Sequence, residues 1–203
     1  MKWNRIQKYL LYPFVPLFIV IQMVFARRKA SYISSLCIDN SKILDVGCGD
    51  GSIAEMIMEL NPSIRIVGVE VKKIKKSKIP HRVYDGRYIP YPASCFEIVM
   101  IIDVLHHLTD MYALLEEAKR VTKRYIIIKD HIASSILDRV LLAIPDYVAH
   151  LFIDVSRRGN YLCWEEWEGI FRRLKLREER RIEKFSLGFG MNEKRNFIVR
   201  LEV

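Results

Sequence analysis

The stretch Asp45-Val46-Gly47-Cys48-Gly49-Asp50-Gly51 concentrates residue types that let a backbone close on a ligand. Glycines at alternate positions remove the Cβ atoms that would hold a ligand off, and a helix starting there offers free N–H groups. The spacing is not the G-x-G-x-x-G of dinucleotide loops, which argues against a nicotinamide cofactor. Glu70 follows about twenty residues on, at the end of a β-branched run, where a carboxylate can accept both hydroxyls of a ribose. Asp103, His106 and His107 close one later apolar run, and Lys129-Asp130-His131 close another. An Asp beside a His there can orient and charge an imidazole that takes a proton from a hydroxyl or amine. Neighbours in an extended strand face opposite ways, so one of Asp130 and His131 is expected to be buried structure. For His106, packing beneath a ligand pocket and proton handling are both open readings.

The elements that position these residues alternate between strand and helix. Ile43 to Val46, Ile64 to Val69, Phe96 to Ile102 and Tyr125 to Ile128 read as buried strands. Arg82 to Tyr84 reads as a short strand before a turn at Asp85-Gly86. Helical spacing marks Ser52 to Leu60, Met111 to Val121 and Trp164 to Leu174. Ser134 to Phe152 is a long apolar helical region that Pro145 is expected to interrupt. The tail from Lys175 reads as two strands around Gly188 and Gly190. Between Val71 and Pro80, Lys72, Lys73, Lys75, Lys76 and Lys78 leave too few apolar residues for a packed helix, so a solvated loop is expected. Alternating strands and helices imply an α/β sheet with right-handed crossovers.

The run Ile43 to Gly51 resembles motif I of the class I S-adenosylmethionine (SAM) dependent methyltransferases, L-D-x-G-C-G-x-G. The similarity continues through Asp85-Gly86-x-x-Ile89-Pro90-Tyr91 and Ser94-x-Phe96-Glu97-Ile98-Val99. Val104-Leu105-His106-His107 is similar to the V-L-H-H segment of the type-11 group. The resemblance implies a Rossmann-like α/β fold, a mostly parallel seven-stranded sheet with one antiparallel strand, preceded here by an N-terminal apolar helix. It implies SAM as cofactor; no metal site is expected, because the cysteines are scattered and form no C-x-x-C pair. The resemblance gives Asp45, Gly47 and Gly49 to the methionine part, Glu70 to the ribose and Asp85 to the adenine end, with Cys48 and Gly86 also in the cofactor-binding set. Asp103 joins this cofactor set, and His131, Asp130 and His106 are the candidate catalytic residues. Leu44 to Leu174 also resembles a bacterial and archaeal subgroup marked by a shortened second crossover, here Lys72–Pro80. Its other marks match Ile128–His131 and Asp146-Tyr147-Val148. Arg157, Arg158, Tyr161 and Trp164 fall where such enzymes often carry a substrate lid.

With 203 residues, 51% hydrophobic and 28% charged, the chain is globular rather than disordered. Residues 1–35 are expected to form the apolar helix and a basic linker, and 36–203 the SAM-binding domain. A net charge of +9 favours a phosphate-bearing substrate, an anionic membrane surface or, less so, nucleic acid. Scattered Cys37, Cys48, Cys95 and Cys163 fit reduced thiols and a cytoplasmic protein. Leu10 to Ala26 is apolar between basic flanks. It reads as a helix packed on the domain, a membrane-surface anchor at the cytoplasmic face, or a short span or signal. The expected activity is methyl transfer to a small-molecule or lipid-like acceptor. The alternative is a non-catalytic SAM-fold protein that binds a membrane or protein partner.

Overall fold

Seven strands form one sheet in the order β3-β2-β1-β4-β5-β7-β6 in a computed structural model that describes residues 15–152, 159–183, 185 and 193–203. The strands are β1 Lys42–Val46, β2 Arg65–Glu70, β3 His81–Val83, β4 Phe96–Ile102, β5 Thr122–His131, β6 Arg177–Glu183 and β7 Asn196–Glu202. β1 to β5 pair in parallel, and β7 runs antiparallel to both β5 and β6. The helices are α1 Val15–Ser34, α2 Ser52–Leu60, α3 Met111–Val121, α4 Ile136–Phe152 and α5 Trp164–Arg173.

The central strands are apolar at nearly every position because both faces are covered. Leu44, Val46, Val99, Ile101, Ile126 and Ile128 pack with α3 and α5. The alternate residues Ile43, Ile98, Met100, Ile102 and Ile127 pack on the other face with Ala30 and Ile33 of α1 and Ala54 and Ile57 of α2. The period of two therefore sorts one sequence run into two cores. Local signals set the ends. Asp110 caps α3 by accepting from the Ala113 N–H at 3.1 Å. The Glu166 carboxylate accepts from the Cys163 N–H at 2.8 Å at the start of α5.

Several boundaries differ from the sequence reading. β5 begins at Thr122, directly after α3, because the Thr122 hydroxyl donates back to the Ala118 carbonyl and the chain turns extended there. The expected basic linker is helix: Arg27, Arg28 and Lys29 lie inside α1, whose Ala30 and Ile33 are fully buried. Pro145 does not interrupt α4, which runs through it. The lysine-rich connection from 71 to 80 has no helix, as expected, and its lysines are exposed. It is nonetheless anchored: the Lys78 N–H donates to the Asp50 carbonyl at 2.7 Å, and Ile79 is buried. Gly188, Gly190, Arg157, Arg158 and the first residues of the apolar run fall outside the described residues, as do the side chains of Asp146, Tyr147 and Val148. Among the described residues no helix is long and apolar enough to cross a membrane.

α4 is not the usual return crossover. The Ala133 N–H donates to the Leu162 carbonyl at 2.9 Å, and the Asn160 N–H to the His106 carbonyl at 2.6 Å. The chain between 134 and 160 thus leaves and rejoins the sheet at its carboxyl edge, and α5 makes the return. α1 runs the opposite way to the parallel strands, from the carboxyl edge at Lys29 toward the start of β1. Its first turns therefore project beyond the edge from which α4 also emerges.

Candidate active site

The glycine loop opens where β1 ends. Gly47, Gly49 and Gly51 all have positive φ, at 74°, 53° and 79°. A Cβ on Gly47 would stand 2.5 Å from Val104 Cγ2, and one on Gly51 2.7 Å from Ile79 Cγ1, so neighbouring loops require both glycines. A Cβ on Gly49 would meet nothing within 4 Å, which leaves its face of the loop open to a ligand. Glu70, half-buried at the end of β2, accepts from the Gly49 N–H at 3.0 Å and the Val71 N–H at 2.8 Å. Asp45 is 3% exposed, and burial, with Glu70 beside it, pushes its carboxyl up to about 7. Burial, with the nearby Asp45 and Glu70 carboxyls, also pushes the Cys48 thiol up to about 12, so this cysteine stays protonated packing. Asp85 is exposed just beyond β3. Its Oδ1 accepts from the Arg87 and Tyr88 N–H groups at 2.8 Å each, which holds it below the usual carboxylate range. Gly86 follows with φ 81°.

Asp103 differs from its expected cofactor role. Its carboxylate is gripped by Lys29 of α1 and Lys129 of β5, with His131 Nε2 at 3.6 Å. Burial works against its charge, but Lys129 and Lys29 outweigh it and hold the carboxyl well below the usual range. Lys129 itself is 1% exposed, and burial lowers its ammonium despite Asp103. Nothing in the sequence links Lys29 to Asp103 across 74 positions. A lysine within the buried β5 run was the available signal for Lys129.

Strand alternation sends Lys129 toward α1 and Asp130 toward the opposite face, while His131 at the strand end reaches both sides, 3.6 Å from Asp103 and with its ring 5.0 Å from that of His106. Asp130 is wholly buried and accepts from His106 Nδ1 at 2.6 Å and from the Leu105, His106 and His131 N–H groups. Burial would raise its carboxyl, but the His106 contacts outweigh this and lower it. His106 is 2% exposed, stacked on Tyr161. Both members of this pair are thus buried structure, and Asp130 fixes the 105–107 turn. His131 does not suit proton transfer: burial, with Lys129 nearby, lowers it to about 3, so it stays neutral in ordinary buffers. The ligand atoms of His106, Asp130 and His131 lie within 4.8 Å of one another. A metal there would displace the hydrogen bonds Asp130 already makes.

Beside this turn lies a cavity of about 630 Å³, lined by His107, Leu108, Thr109, Arg139, Asn160 and Tyr161 among others. It sits on the β4–β5 side of the carboxyl edge, and the glycine loop on the β1–β2 side. β1 and β4 are neighbours whose following connections go to opposite faces, the switch point where open α/β sheets bind ligands.

This topology and loop define a class I SAM-dependent methyltransferase fold. Residues 44–127 match the family model described as a methyltransferase domain. A solved SAM-dependent methyltransferase of Thermotoga maritima superposes with a TM-score of 0.63 at 16% identity, covering 96% of this chain and 99% of that one. An uncharacterized methyltransferase of Schizosaccharomyces pombe is 33% identical over 112 residues, 46% of this chain and 40% of its own. The mitochondrial ubiquinone biosynthesis O-methyltransferase of the same organism is 24% identical over 160 residues, 64% of this chain and 56% of its own. The chain thus spans about half or less of the length of these curated relatives. SAM is the cofactor of this class, and the loop fits it: an open Gly49 face, a ribose-competent Glu70, and a buried Asp45 that a cation would ionise.

Proposed function

We propose that the protein transfers the SAM methyl group to a small-molecule or lipid-like acceptor held in the cavity beside His107 and Tyr161. The observation that carries this reading is the pairing of an open glycine loop with a separate acceptor-sized cavity across the β1–β4 switch point. When bound, SAM supplies a methyl already activated by its sulfonium. Glu70 holds the ribose hydroxyls, Asp45 the amino group, and Asp85 offers its carboxylate toward the adenine end. The Asp130-braced turn at Leu105–His107 positions the wall between cofactor and acceptor. Catalysis then rests on alignment and exclusion of water, because His131 is too weak a base and His106 is sealed from solvent. The protein is proposed to work in the cytoplasm, where its thiols stay reduced.

Calorimetry with SAM, S-adenosylhomocysteine and NAD tests this. The two sulfur ligands are expected to bind and NAD is not, and Glu70→Ala is expected to weaken SAM by about tenfold or more. NAD binding in place of SAM, or unchanged SAM affinity in the variant, refutes the reading. The near-complete burial of His106 and Asp130 favours a second reading, a SAM-fold protein that binds without turnover. It requires SAM binding with no S-adenosylhomocysteine formed from any cell extract.

A further inference from the structure

We infer that the exposed face of α4 lies on the surface of an anionic lipid bilayer, so that the candidate active site opens toward lipid. Ile136, Leu137, Val140, Leu141 and Ile144 are 83%, 64%, 52%, 36% and 54% exposed. They repeat at helical spacing along one stripe, a contiguous apolar surface that water-facing helices do not normally present. The helix is not loosely attached. Leu142 is buried against Ala133 and Tyr161, and the Tyr161 hydroxyl donates to the Leu142 carbonyl. Ser135 caps its first turn, and Asp138 is locked to Arg195. The apolar stripe is therefore held outward by a fixed base.

Charge selects the occupant. Among residues 134–144 every exposed side chain is apolar or Ser apart from Arg139, and the one acid, Asp138, is already paired. α1 emerges from the same carboxyl edge, with Met23 and Val24 exposed and Arg27 and Arg28 exposed one turn later. Aliphatic residues flanked by arginines, on a chain of net charge +9, match acyl chains beneath anionic headgroups. Arg139 also lines the cavity, so the docked orientation brings an amphiphilic acceptor's head group to the site. The surface reading does not depend on methyl transfer.

Full-length protein is tested by sedimentation with phosphatidylcholine vesicles, with and without phosphatidylglycerol. Binding is expected only with phosphatidylglycerol. The triple variant Leu137→Ser, Val140→Ser, Ile144→Ser is expected to bind these vesicles about tenfold more weakly. Its SAM affinity should equal that of the unmodified protein, which shows the fold intact. No binding to either vesicle, or equal binding by the variant, overturns the inference. So does a dimer in solution that the variant converts to monomer, since the stripe would then pair two copies. Loss of SAM binding in the unmodified protein would instead count against the proposed function alone.

Discussion

Replacing Asp103 with asparagine is expected to destabilise the protein by about 3–5 kcal/mol, the usual result of leaving buried charge without its partner. The substitution strands two cations: Lys129, 1% exposed, and Lys29, whose side chain is 15% exposed. Adding Lys129→Met to Asp103→Asn should recover a good part of the loss, because Lys29 lies nearer the surface and can turn to water. The pH dependence has a defined sign. The Asp103 carboxyl is lowered in the folded protein, so its contribution is complete above the unfolded value near 4 and is lost as pH falls below it. Denaturant titrations at neutral and acid pH would read both effects. A loss under about 1 kcal/mol, the range of an exposed ion pair, would show that the contact between α1 and the site is superficial.

Asp45→Asn is expected to act in the opposite direction on stability while weakening SAM binding by about tenfold to a hundredfold, the value of a hydrogen bond to a charged group. Here the carboxyl is raised to about 7, so the folded protein retains a proton that the unfolded chain has lost. Stability from this group therefore falls as pH rises from about 4 through 7. A displacement of that size has a ceiling near 4 kcal/mol at pH 8. The asparagine variant still buries an amide, so a gain of about 1–2 kcal/mol is expected. A cationic amino group at this position draws the carboxyl back to its ionised form, so binding by the unmodified protein should release a proton near pH 7. Calorimetry in buffers of different ionisation heat would detect it. A variant that is less stable at pH 8, or that binds SAM normally, would show that Asp45 is structural.

The two variants probe carboxylates that look alike in sequence, each closing an apolar run beside glycine or another turn. Position along the chain says that both reach the carboxyl edge. Their surroundings decide that one lacks a compensating cation and the other has two.

The order of strands and helices was legible because hydrophobic period is a local property, and so was the glycine loop, whose chemistry lies in consecutive residues. Glu70 and Asp85 follow at distances that a βαβ design constrains, even with its crossover reduced to an anchored loop. The roles of Asp130 and His131 were not legible. Alternation says they face apart, but only the packed structure reveals that Asp130 meets His106 while His131, at the strand end, reaches both Asp103 and the His106 ring. The continuation of α1 to Ser34, the pairing of Lys29 with Asp103 and the outward face of α4 likewise depend on contacts between distant segments. Local sequence determined where the ligand-facing backbone opens; tertiary packing decided which charges around it are neutralised, because burial and long-range pairing set the cost of each charge.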